Sequence, residues 1–345
     1  MTAMLGLCGL LVRRVAAAVP AVEEPAESVP VETWWSGRVR RDRQPILRKD
    51  GQVLPLIDTR VSFPFGGLTA DSEVLTVIEM PTTDSTVMNS SLTGFVTAAS
   101  PFHPVDDGWP DQGPDRGTVT IAGVVVDVVD VVLGATSGNN LLTSPNIPVR
   151  RGEPGWAFVV VHVVAPGSPV PAVGQTVRLE VDPVHRDELN HGHTACHLAA
   201  LALNAALADR WRKPVAVDGL GHPNFDQLAL ANSRIHPNAA TDTYRIGKSL
   251  RKKGFDMVDW DVQDAVQRAD EVLAGWVAAG VVIRIEAEGP GLTDRRSWVC
   301  ELPEGEERIA CGGTHPTSLD GVAAIRIGLT LTDAELVMET KVTRR

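Results

Sequence analysis

Cysteine is scarce. The chain of 345 residues has four, Cys8, Cys196, Cys300 and Cys311, with no CxxC pair and no regular spacing. That scarcity excludes a disulfide framework and points to a reducing compartment with free or metal-bound thiols. Long apolar runs are missing as well. No stretch reaches the roughly 18 apolar residues that a membrane helix requires, so no membrane partner is expected and the protein should be soluble. An excess of basic charge is lacking too, the formal net charge being -11. A nucleic-acid partner would therefore need a local basic patch. Internal repeats are absent. What is present, 43% hydrophobic and 22% charged residues, is the composition of a packed globular protein, and the length suits two domains.

The first 22 residues carry no acid and contain a short apolar run, Met4 to Val12, followed by Arg13 and Arg14. An export signal places its positive charge before such a run, so the order argues against one. An organelle transit peptide or an over-long start satisfies the same composition. Residues 1–65 are rich in Pro, Glu and Arg, with Arg38, Arg40, Arg41, Arg43, Arg48 and Lys49 close together, and read as a poorly ordered leader. A cytoplasmic location is expected, with organelle targeting by the leader left open.

Residues 66–184 read as a β-rich domain. Short β-branched runs separated by Pro, Gly, Asn and Asp predict strands and turns, clearest where Ala122-Gly123 joins Thr118–Ile121 to Val124–Val132. Trp156–Val164 and Thr176–Val181 predict further strands. With no helical period interrupting them, an antiparallel sheet or barrel follows. Residues 185–345 read as an α+β domain. A helix is expected over His193–Trp211 from its Ala and Leu content. A second is expected from Val262 to Val277, where apolar residues repeat at i, i+3, i+4, i+7, with Asp261 to cap its start and Gly280 its end. Strands are expected at Val281–Ile285, Trp298–Leu302, Ile325–Leu331 and Leu336–Val342.

The segment His191-Gly-His193-Thr-Ala-Cys-His197 places His193 and His197 on one face at the start of the first helix. Far downstream, Cys311-Gly-Gly-Thr-His315 repeats the spacing of four, its glycines allowing a tight turn. Either pair alone is common without a metal. Together they supply three imidazoles and one thiolate, a set that suits Zn2+ better than iron or copper. Cys196 and Cys300 look like core thiols, and His191 falls off the ligand face. His103, His162, His185, His222 and His236 lack partners at metal spacing.

HTACHL at 193–198 and CGGTH at 311–315 resemble the two metal-binding motifs of the alanyl-tRNA synthetase editing domain and of its free-standing relatives, the alanyl-tRNA editing proteins. Arg186-x-x-Leu189, ahead of the helix, also looks like that family. Ser100-Pro-Phe102-His-Pro104, followed by Gly108, Gln112, Asp115, Arg116 and Gly117, is similar to the family's glycine-rich segment, T-x-F-Y-P-x-G-G-G-Q-x-x-D-x-G. Here it is about three residues longer, with Trp109-Pro110 where glycines usually sit and Ser100 in place of Thr. The resemblance covers roughly residues 90–345 and puts substrate choice in question.

The resemblance implies a β-barrel-like first domain packed on an α+β editing domain. It implies hydrolysis of the ester joining serine or glycine to tRNA for alanine, a trans-editing step in translation quality control. One small group distinguishes alanine from either error and gives only about 1–3 kcal/mol of discrimination, so a second sieve is needed. A catalytic zinc assists ester hydrolysis but usually keeps an open position, so one ligand, His315, is expected to bind loosely or yield. Gln112 and Ser100 could read the serine hydroxyl, or be a turn glutamine and a strand-end serine. Thr194 and Thr314 could orient water or substrate; equally, Thr194 could be a helix-start residue with no chemical task.

For the acceptor end of tRNA, the basic stretch Arg245, Lys248, Arg251, Lys252 and Lys253, flanked by Tyr244 and Phe255, could meet phosphates and an unpaired base. A solvated charged loop is the alternative. Two other functions remain open: a metal-dependent hydrolase of another aminoacyl ester or amide, and a non-catalytic, zinc-stabilised RNA-binding module. Oligomeric state is not legible.

Overall fold

Burial that alternates along the β-branched runs makes strands of them. The structure, a computed structural model, describes residues 54–80, 92–105 and 111–345. The expectations for the acid-free N-terminus and the arginine block, and those for Gly108, Trp109 and Pro110, lie outside the described residues.

The first half holds strands β1 (Arg60–Val61), β2 (Thr69–Met80), β3 (Leu92–Thr97), β4 (Ala99–Ser100), β5 (Gly117–Ile121), β6 (Val124–Thr136), β7 (Leu141–Thr143), β8 (Ala157–Val164) and β9 (Thr176–Val181). Seven of them form an antiparallel sheet in the order β5-β9-β2-β3-β8-β6-β7, and β5 also pairs with β6, so six strands close into a ring of pairings. Ala122 and Gly123, both at positive φ, make the two-residue turn expected between β5 and β6. Phe95, Phe102, Val119, Phe158 and Leu179 are fully buried in the core of this half, each contributing about 1.5–3 kcal/mol. Strand β8 is buried at every position, because Val159 and Val161 join Val96 in a small second core. Residues 54–65, counted with the leader on composition, are packed: Leu54, Val61 and Phe63 are buried, and β1 pairs in parallel with β4.

The second half is α+β. It holds helices α1 (Pro183–Ala206), α2 (Phe225–Ala229), α3 (Lys248–Lys252) and α4 (Val262–Ala279). Its strands are β10 (Leu230–His236), β11 (Ala239–Arg245), β12 (Val282–Ala287), β13 (Arg296–Leu302), β14 (Gly305–Ala310), β15 (Val322–Leu331) and β16 (Glu335–Arg344). Two antiparallel sheets run β10-β11-β16-β15 and β12-β13-β14. Helices α1 and α4 pack on each other, α1 against β11 and β16 and α4 against β15. Leu198, Leu203, Tyr244, Leu273, Trp276, Trp298 and Met338 lie in the core of this half. Helix α4 is capped as expected: Asp261 accepts from the Gln263 and Asp264 amides, and Gly280 is left-handed at φ 61°.

Helix α1 departs from expectation at both ends. It starts at Pro183, not His193, with the Asp182 side chain accepting from the Val184 and His185 amides. Gly192, a breaker by propensity, is tolerated in mid-helix because the sheet passes so close. A Cβ there would lie 2.3 Å from the His236 carbonyl oxygen. The helix stops at Ala206 rather than Trp211, because Leu207 leaves the helical conformation and a short 3-10 turn follows at Ala208–Arg210.

The glycine-rich segment lies between the two halves. The Ile235 amide donates to the Asp111 carbonyl at 2.8 Å, tying the segment to β10. Buried Arg186 of α1 forms a two-pronged ion pair with Asp115, Nε to Oδ1 at 2.7 Å and Nη2 to Oδ2. It also donates to the Pro101 carbonyl at 2.8 Å. No helix among the described residues is long and apolar enough to cross a membrane.

Candidate metal centre

The helical period brings His193 and His197 to one face of α1, in mid-helix rather than at its start. Strand β14 delivers Cys311, whose amide donates to the Arg296 carbonyl of β13 at 3.1 Å. The loop that follows carries His315 back over α1. The Nε2 atoms of His193, His197 and His315 lie 3.4, 3.4 and 3.3 Å from Cys311 Sγ. All four ligand atoms fall within 4.8 Å of one another. Tetrahedral zinc, with bonds of about 2.0–2.1 Å to nitrogen and 2.3 Å to sulfur, sets neighbouring ligand atoms about 3.5 Å apart. The donor set fits such an ion in type and spacing.

Hydrogen bonds behind the rings turn Nε2 inward. Nδ1 of His193 is 2.7 Å from Gln112 Oε1. The same oxygen accepts the Thr314 amide at 3.1 Å, while Gln112 Nε2 donates to Thr314 Oγ1 at 2.9 Å. Nδ1 of His315 is 3.0 Å from Thr194 Oγ1. Because Gln112 Oε1 can only accept, His193 carries its proton on Nδ1 and leaves an Nε2 lone pair for the cluster.

Electrostatics agree with this arrangement. Burial pushes His193 and His197 down to about 3, and His315 well below its usual value, so all three rings are neutral donors. Burial likewise pushes the Cys311 thiol up to about 12. A bound cation would reverse that shift, since a coordinating thiol loses its proton outright.

His315 is the ligand expected to bind loosely or yield. That ring is 8% exposed and held by Thr194, whereas His197 and Cys311 are half-buried. Gln112 and Thr314 stand behind His193, and Thr194, an interior helix residue, stands behind His315. Ser100 is elsewhere: its hydroxyl is 2.8 Å from His162 Nε2 and accepts the Phe102 amide at 3.0 Å, within the β-rich half. Neither CGGTH glycine is at positive φ, so the glycines are not there for a left-handed turn. Arg245, Lys248, Arg251, Lys252 and Lys253 are all exposed on or beside α3. Tyr244 and Phe255, expected to stack on a base, are instead core residues packed around Phe225. Their side of the stretch faces inward, and the charges face solvent.

Two neighbours were missed by sequence reasoning. Asp111 Oδ2 lies 3.5 Å from His193 Nε2. His103, buried against Phe63, has no hydrogen-bond partner for Nδ1 among the described residues. Burial, then the Arg186 charge, hold it well below its usual value. Neither belongs to a spaced pair, so no periodicity could single them out.

The α+β fold and its cluster of three histidines and a cysteine define a protein with a site able to hold a metal ion. By sequence, the chain is similar to alanine-tRNA ligases over about 70% of its length. It is 26% identical over 238 residues to that of Anaeromyxobacter sp. (strain Fw109-5), covering 68% of this chain and 21% of the ligase. It is 23% identical over 266 residues to that of Natronomonas pharaonis, covering 74% and 22%, and 25% identical over 230 residues to that of Halorubrum lacusprofundi, covering 66% and 20%. The chain thus spans about a fifth of the length of the relatives it matches. No family model matches. A solved structure described as a fusion DH domain aligns with 79% of this chain and 72% of its own at 11% identity, with a TM-score of 0.13, too low to define a shared fold.

Proposed function

We propose that this protein is a zinc-dependent hydrolase that removes serine or glycine from mischarged tRNA for alanine, acting in trans as a free-standing editing factor. The convergence of His193, His197, Cys311 and His315 on one point carries the reading. Similarity to alanine-tRNA ligases supports tRNA for alanine as the substrate class. In this reading residues 66–184 are the barrel-like first domain and 185–345 the editing domain, which acts in the cytoplasm.

A zinc ion bound there would supply Lewis-acid polarisation of an ester carbonyl or a water of lowered pKa. The chain's own residues do the rest. Gln112, bridging His193 and Thr314, holds the His193 imidazole in the tautomer that offers Nε2, and Thr194, behind His315, holds that ring in place. Half-buried His197 and Cys311 mark the side from which the acyl ester approaches. The exposed cations of α3 meet the phosphates of the tRNA acceptor end, giving a transient, salt-sensitive grip on an otherwise acidic protein.

The test is release of serine, glycine and alanine from tRNA for alanine, with and without chelator. Release of the two wrong amino acids, abolished by chelator and restored by zinc, is expected; chelator-insensitive release, or none, sinks the reading. Four protein donors also suit a purely structural ion. His193→Ala separates the two, because loss of hydrolysis with a nearly unchanged melting temperature excludes a structural role, and collapse of the fold supports it.

A further inference from the structure

One carboxylate reaches the atom that His193 offers to the cluster. Asp111 Oδ2 is 3.5 Å from His193 Nε2, close to the 3.3–3.4 Å that separates Cys311 Sγ from each imidazole. It stands beside the four mutually close donors rather than among them. Its position is built. The Ile235 amide holds the Asp111 carbonyl at 2.8 Å, and the Gln112 amide donates to Asp111 Oδ1 at 2.7 Å. The next side chain, Gln112, is the one that orients His193. One short segment therefore sets both the imidazole and the carboxylate. The Asp111 side chain is 20% exposed against 1% for His193, which places it at the rim of the cluster rather than behind it.

We propose that Asp111 binds the α-ammonium group of an aminoacyl ester, an inference that rests on the hydrolase reading. Three neutral imidazoles and one thiolate leave a divalent ion with net positive charge, which repels an ammonium carried one carbon from the ester carbonyl. A carboxylate at the rim offsets that repulsion with a charge-assisted hydrogen bond. It also selects. Esters whose amine is acylated, such as peptidyl esters, and simple esters without an amine gain nothing from Asp111.

The experiment compares seryl-tRNA with N-acetylseryl-tRNA on zinc-loaded wild-type protein and Asp111→Asn, which keeps an oxygen for the Gln112 amide. Wild-type kcat/KM is expected to favour the free amine by about tenfold or more, the scale of one charge-assisted hydrogen bond, and the variant to lose that preference. A second readout needs no turnover. Calorimetric affinity for the amide-linked analogue 3′-seryl-amino-3′-deoxyadenosine is expected to fall about tenfold in the variant relative to its N-acetylated form. An unchanged preference in Asp111→Asn overturns the inference, as does an equal loss on both substrates accompanied by lost zinc, which would assign Asp111 to the metal. If wild-type protein releases serine from neither substrate, the hydrolase reading itself fails and takes this one with it, an outcome distinct from a retained preference.

Discussion

Gly313 lies flat against the ring of His193: a Cβ added to the glycine would sit 2.3 Å from Cε1 and 2.4 Å from Nδ1 of the imidazole. It would also meet Gln112 Oε1 at 2.7 Å, so nothing nearby can give way without disturbing the bond that orients the ring. Gly313→Ala should therefore displace His193 and lower zinc content well below one ion per chain while the far-ultraviolet spectrum stays native. Full zinc occupancy in the variant, by elemental analysis, would show that the loop adapts.

Gln112 reaches the candidate metal site through hydrogen bonds to His193 and Thr314. Replacing such an outer partner of a metal-bound histidine typically costs about 10–100-fold in metal affinity. Gln112→Ala should show a loss in that range by competition with a chromophoric chelator. Unchanged zinc affinity together with altered preference between serine and alanine esters would return Gln112 to reading the serine hydroxyl.

The buried pair of Arg186 and Asp115 joins α1 to the glycine-rich segment, with side chains 2% and 0% exposed. Removing one partner strands the other charge in the interior, at a cost of about 3–5 kcal/mol. Asp115→Asn should lower the denaturation midpoint accordingly. Arg186→Met combined with Asp115→Leu should recover much of the loss, and a double variant as unstable as the single would assign the cost to lost hydrogen bonds instead.

Under β10 and β11, Asp242 lies 3.5 Å from Cys196 Sγ, and Asp226 accepts from the Tyr244 hydroxyl at 3.0 Å. Burial raises Asp242 from 3.8 to about 7 and Asp226 to about 6, and the Asp226 charge adds to the shift at Asp242. Folded values above unfolded ones mean that their contribution to stability is complete below 3.8 and is lost as pH rises through about 6 to 7. Urea denaturation should show wild-type stability declining from about pH 4 to about pH 7, and Asp242→Asn declining less. Parallel pH profiles for the two proteins would contradict the assignment.

Local signals are the ones that proved legible. Helix α4 was readable at both ends because its caps and buried face are properties of neighbouring residues, and the β5–β6 turn was readable because Ala122-Gly123 sits between two valine-rich runs. The start of α1 was missed because Gly192 opposes a helix in isolation, and only the closeness of His236 and Ala239 makes it necessary. Strands β10 and β11 escaped notice because their stability comes from pairing with each other and with β16, which composition does not report.

By itself, the sequence determined which side chains have metal chemistry, since spacing of four on a helix and across CGGTH is written in residue order. Tertiary structure alone decided how they meet: that Gln112, Thr194 and Thr314 stand behind the ligands, that Ser100 turns to His162, and that Asp111 comes to the rim. Those relationships span as many as 202 residues of chain, as between Gln112 and Thr314. Contacts at such separation are set by how sheets and helices pack, a collective result of burial that no local pattern encodes.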